Sequence, residues 1–112
     1  MLDNLKILPI GSVVIVNGST EPVMIVSAFP VTTSDGQEGY FDFGAVPLPL
    51  GLVSQEMFFF NKEDISSVLF VGYIDTGYQM LHQKYDELVA SIIHEKLMIG
   101  GEKNAGNYSK KI

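Results

Sequence analysis

Hydrophobic positions change period along the chain. Over the first two thirds they come in short runs separated by turn formers. After residue 75 they recur at steps of three and four. Val13–Val16 is a β-branched run, preceded by Pro9, Gly11 and Ser12 and followed by Asn17-Gly18, a pair that tolerates positive φ and closes tight turns. A second run covers residues 23–29 and stops at Pro30, so the two runs predict an antiparallel hairpin with its loop at residues 17–22. Residues 31–39 hold Thr32, Thr33, Ser34, Asp35 and Gly36 and read as a loop.

Tyr40-Phe41-Asp42-Phe43 alternates, which suits a half-buried strand. Residues 45–53 carry Pro47, Pro49 and Gly51 and read as an apolar, ordered loop. Residues 56–60 predict a strand whose consecutive Phe58, Phe59 and Phe60 point to alternate faces, with both faces covered. Asn61, with Asp64 three residues on, marks the N-cap of one helical turn over residues 62–66. Residues 67–73 are apolar on both faces, the pattern of a central strand.

Thr76 and Gln79 have capping-box spacing. Tyr78, Leu81, Tyr85, Leu88, Val89, Ile92, Ile93 and Leu97 then form one apolar stripe, and Gly100-Gly101 is a stop signal. The expected element is an amphipathic helix of about six turns and about 30 Å. Strands of five to seven residues are only about 17–23 Å tall, so the C-terminal half of such a helix would overhang the sheet and need a second copy or another protein to cover it.

Strands followed by a helix predict an α+β class. The expected architecture is a small antiparallel, strongly curved sheet or partial barrel with one long C-terminal amphipathic helix. Residues 1–99 would form a single domain and residues 100–112 a flexible tail.

Composition narrows the function. In 112 residues there are 13 acidic and 7 basic side chains, a net charge of −6 that repels phosphate backbones and argues against a nucleic-acid partner. With no cysteine there are no disulfides, thiolate nucleophiles or zinc–thiolate sites, in keeping with a cytoplasmic chain. No apolar run is long enough to span a membrane, and the first ten residues do not read as a signal peptide.

His82 and His94 lie twelve residues apart, which is no same-face metal pair, and both read as surface histidines. Glu63-Asp64 reads as helix capping and Asp86-Glu87 as solvation, because adjacent acids on a helix diverge. Nucleophile-elbow, dinucleotide and phosphate-loop motifs are absent. No catalytic, metal or cofactor-binding residue is therefore assigned. The candidate contacts are for protein: Leu48, Leu50 and Leu52 in the apolar loop, and Leu81, Tyr85, Leu88, Val89, Ile92 and Ile93 on the helix.

Several blocks also carry a resemblance. They are Leu8-Pro9-Ile10-Gly11-Ser12-Val13-Val14, Met24-Ile25-Val26, Tyr40-Phe41-Asp42-Phe43, Phe59-Phe60-Asn61-Lys62-Glu63-Asp64-Ile65 and Val68-Leu69-Phe70-Val71-Gly72-Tyr73. Together they resemble a small domain-of-unknown-function family encoded at type VII secretion loci of Gram-positive bacteria, similar to accessory proteins of LXG-type toxins. The resemblance implies a cytoplasmic targeting factor or export chaperone that binds the helical N-terminal domain of such a toxin, alongside other small secretion partners. An immunity protein against the toxin's C-terminal domain is the alternative, and a small enzyme with a loop-built site is a third. The resemblance transfers no functional residue, and the absence of Trp rules out a WXG turn.

Overall fold

A computed structural model describes residues 6–34, 36–54 and 57–99. The tail, the Gly100-Gly101 stop and the predicted strand start at Glu56 lie outside the described residues.

Eight strands and two short α-helices form among the described residues. β1 (Val13–Val16) and β2 (Val23–Ala28) make the expected hairpin, with Val13 opposite Met24. β3 (Val31–Ser34) and β4 (Gln37–Tyr40) follow, then β5 (Phe43–Pro47), β6 (Phe58–Phe60) and β7 (Ile65–Phe70). The first sheet has the order β6-β5-β2-β1-β7 and is antiparallel throughout.

The second sheet has the order β3-β4-β8, with β8 (Glu95–Lys96) from the C-terminal part of the chain, and continues the β2–β5 pair. Ala28 sits opposite Phe43 and Val31 opposite Tyr40. Between them Phe29 N–H donates to Asp42 O (2.9 Å) and Phe41 N–H to Pro30 O (3.1 Å), so one long ribbon bends from sheet to sheet. Phe29 takes φ 56° at the bend, an unusual conformation for a bulky residue. Its ring is fixed there by Tyr40 and Tyr85, each 6.2 Å away between centroids.

The core collects alternate residues of these strands: Val14, Val16, Val23, Ile25, Phe43, Ala45 and Phe60, with Phe41 from the bend. Phe43 and Phe60 face each other across β5 and β6 at 5.9 Å, and Phe59, half-buried, stacks on Phe41 at 5.8 Å. Gly72 is required by close approach, since a Cβ there would stand 2.2 Å from Ile10 O. The contact lets Gly72 N–H donate to the buried Ser12 hydroxyl (2.9 Å) and clamps the N-terminal segment to the end of β7.

The expected long helix and strongly curved sheet or partial barrel are overturned. The fold is mostly sheet: of the described residues 37% are strand and 20% helical, and they form no closed barrel and no strongly curved sheet. The stripe splits into α1 (Thr76–Gln83), α2 (Tyr85–Ser91) and an extended segment containing β8 (Glu95–Lys96). α1 starts at Asp75, whose carboxylate accepts from Tyr78 N–H (2.8 Å), one residue before the predicted cap. It ends at Lys84, whose N–H is shared between Met80 O (3.1 Å) and Leu81 O (3.2 Å), the tightened last turn of a helix. Ile92 is extended (φ −71°, ψ 124°). Two consecutive β-branched residues, Ile92-Ile93, have limited helix preference, and the open edge of β4 offers backbone partners instead. Without the six-turn helix there is no overhang.

Three further expectations change. Residues 31–39 are not a loop but the β3–β4 hairpin, because β-branched Val31, Thr32 and Thr33 pair with residues 38–40. The irregular loop begins later than expected, since Ala45, Val46 and Pro47 belong to β5. Finally, the strand expected at the centre is β7, which among the described residues is an edge strand paired with β1 alone in its sheet.

Candidate functional site

β7 lies at the sheet edge with its outward apolar side chains in solvent. Leu69 is 59% exposed and Phe70 61%. The chain then continues through Tyr73, the most exposed of this run, to Ile74, and no charged residue occurs from Ile65 to Ile74. Edge strands usually carry lysine, proline or short length as protection against pairing with other chains. β7 has six residues and none of these features. Tyr73 also borders a half-open groove of about 480 Å³ between the N-terminal segment and α1, lined by Ile7, Leu8, Ile10, Tyr78 and Leu81 among others. The Tyr78 hydroxyl donates to Ile7 O and fixes one wall of this groove.

The contacts expected from sequence separate into two groups. Leu50 and Leu52 stand exposed in the loop after β5, next to exposed Val53, while Leu48 is half-buried before Pro49. Leu81 and Tyr85 pack against the core, so much of their apolar surface is already covered. Leu88, Val89 and Ile92 are half-buried and Ile93 is almost fully exposed. The helix residues thus do not form one exposed stripe. The sequence does not single out the β7 surface, because apolar side chains on both faces of a strand are also the pattern of burial on both sides. The one available signal was the absence of charge over ten residues.

Polar side chains gather where the ribbon bends. Asn61 is buried and caps a single 3-10 turn, Lys62–Asp64. Its Oδ1 accepts from Asp42 N–H (3.0 Å), its Nδ2 donates to Leu97 O (2.7 Å), and its N–H donates to Asp64 Oδ2 (2.9 Å). Buried Asp42 accepts from Lys62 N–H (2.9 Å) and faces Lys96 Nζ at 3.3 Å. Lys96 also lies 3.3 Å from Glu63. These groups satisfy one another and join β5, the turn and the C-terminal segment.

Burial holds the Asp64 carboxyl above its ordinary 3.8, against the lowering influence of the Asn61 N–H. Burial works against the Lys96 ammonium, but the Asp42 and Glu63 carboxylates and their hydrogen bonds outweigh it and raise its pKa above 10.5. Burial, followed by the Asp42 carboxylate, also raises Tyr40 and Tyr85, and burial alone raises Tyr78.

These tyrosine and lysine shifts have one sign in stability. The folded chain keeps protons that the unfolded chain releases, so the stabilisation is complete below pH 10.0 and falls as pH rises through the folded values. Urea unfolding from pH 9 to 12 should show a midpoint that is flat at first and then declines, with phenolate absorbance appearing later than in the unfolded chain. A midpoint that stays level throughout would contradict the burial of these groups.

The histidines lie apart. His82 Nε2 accepts from Lys6 N–H (3.0 Å), and His94 lies 4.0 Å from Glu38. Among the described residues no group of three His, Asp or Glu side chains is placed to hold a metal ion, and no helix is long and apolar enough to cross a membrane.

Residues 7–81 match a family described as Domain of unknown function (DUF4176). No match occurs among curated proteins or solved structures.

Proposed function

The chain belongs to the DUF4176 family, and from that premise we propose that it is a non-catalytic protein-binding module. It acts in the cytoplasm as a targeting factor or export chaperone for a type VII-secreted LXG toxin. The observation that carries this reading is the uncharged β7 edge with Leu69, Phe70, Tyr73 and Ile74 in solvent. Monomeric proteins seldom leave such a run uncovered, and exposed apolar surface of this kind marks interaction sites. The partner class comes from the resemblance of the LPIGSVV and FFNKEDI blocks to LXG accessory proteins. The exposed Leu50, Leu52 and Val53 offer a second contact area.

Titration of the full chain with the helical N-terminal domain of an LXG-type toxin tests the reading. A saturable complex is expected. The double variant Leu69→Asp, Phe70→Asp should weaken it by about tenfold or more while leaving the melting temperature near that of the parent, since both side chains are already exposed. Binding that follows the toxin's C-terminal domain instead would make this an immunity protein. Absence of binding to either domain would sink both readings.

A further inference from the structure

The second sheet is completed by a segment from the far end of the chain. Glu95 and Lys96 pair in parallel with Gly39 and Tyr40, and Leu97 N–H donates to Tyr40 O (2.7 Å). Leu97 and Ile99 are 3% exposed and belong to the core. Lys96 reaches the Asp42 and Glu63 carboxylates, and Asn61 Nδ2 donates to Leu97 O. Gly39 admits the segment, since a Cβ there would stand 2.3 Å from Glu95 O and 2.7 Å from Leu97 Cγ. Every named group that receives the segment lies within residues 7–81, while the segment itself lies beyond the family match. It is tied to the domain as an extended peptide would be: a two-residue ladder, one cation against two carboxylates, and two aliphatic side chains two apart.

We propose that the side of β4 away from β3 is a strand-acceptor site for an extended segment of a partner protein, and that residues 95–99 occupy it in cis. The chemistry of the acceptor specifies the ligand. A lysine or arginine faces Asp42 and Glu63, and large aliphatic side chains follow at the next and the third positions, as in Lys96, Leu97 and Ile99. The resident segment competes, so the apparent affinity for a ligand is scaled by the fraction of chains in which the site is open. This site is distinct from β7, which edges the other sheet.

The probe is a fluorescein-labelled peptide with the sequence of residues 94–99, titrated by polarisation against the full chain. Leu97→Ala weakens the resident segment and should bind the probe at least about tenfold more tightly than the unaltered chain. A probe with its lysine replaced by glutamate should bind about tenfold more weakly than the parent probe. A Leu97→Ala chain that melts cooperatively and does not bind the probe overturns the proposal. If that variant does not fold, Lys96→Glu carries the same comparison, and no gain over the unaltered chain overturns it. Equal binding of the two probes also overturns it. An unaltered chain that sediments as a dimer and is split by the probe would make a second copy the occupant and overturn the assignment to a partner protein. No toxin domain enters the experiment, so its outcome is independent of the function proposed above.

Discussion

Asn61→Ala is expected to lower the unfolding free energy by about 2–4 kcal/mol, because it strands two buried groups at about 1–2 kcal/mol each, the lower part of the range for such groups. The side-chain oxygen of Asn61 takes the Asp42 N–H at the bend of the ribbon, and its amide nitrogen serves Leu97 O in the C-terminal segment. Alanine provides neither, and at 3% exposure no solvent replaces them. The urea midpoint measures the loss. Hydrogen exchange locates it: the Leu97 amide, bonded to Tyr40 O, should lose protection more than amides of β1. Asn61→Asp separates shape from chemistry. It keeps the size but removes the donor and adds an acid beside Asp42 and Asp64, so it should be no more stable than the alanine variant at neutral pH. An Asn61→Ala chain within about 0.5 kcal/mol of the parent would show that the bend does not depend on this residue.

Phe60→Ala should be costlier, about 3–5 kcal/mol, through lost burial and the cavity left behind. Phe60 is fully buried, its ring lies 5.9 Å from Phe43, and it comes from a strand of only three residues. β6 therefore has little else to hold it to β5, and a domain of ordinary stability, about 5–15 kcal/mol, would lose a large part of its margin. Leu69→Ala is the control. It also removes a large aliphatic side chain, but one 59% exposed, and should change stability by about 0.5 kcal/mol or less. Guanidinium unfolding of the two variants side by side gives the comparison. Similar losses would mean that β7 is covered in solution.

The two positions differ in how far each was legible. The cap at Asn61 was readable because it is local: an Asn followed three residues later by Asp satisfies early N–H groups within one turn. Its second role, holding a backbone carbonyl 36 residues away, leaves no trace in neighbouring residues. Phe60 was readable as apolar and alternating, but its partner Phe43 was not. Of the contacts expected from sequence, Leu50 and Leu52 are exposed, while Leu81 and Tyr85 are partly buried against the core.

What the sequence by itself determined is short-range. Val13–Val16 and residues 23–28 pair across Asn17-Gly18, Asn61 starts a turn, and residues beyond 75 begin a helix, because turn chemistry, caps and periodicity act over a few residues. Only the tertiary structure decided where the sheets end and what completes them. A periodic stripe is consistent with one helix of six turns or with two short helices and a strand. The open edge of β4 and the buried positions of Leu97 and Ile99 select the second. The same holds for β7: two apolar faces describe a strand's side chains, but whether it is central or an edge depends on which strands dock beside it, and those come from distant parts of the chain.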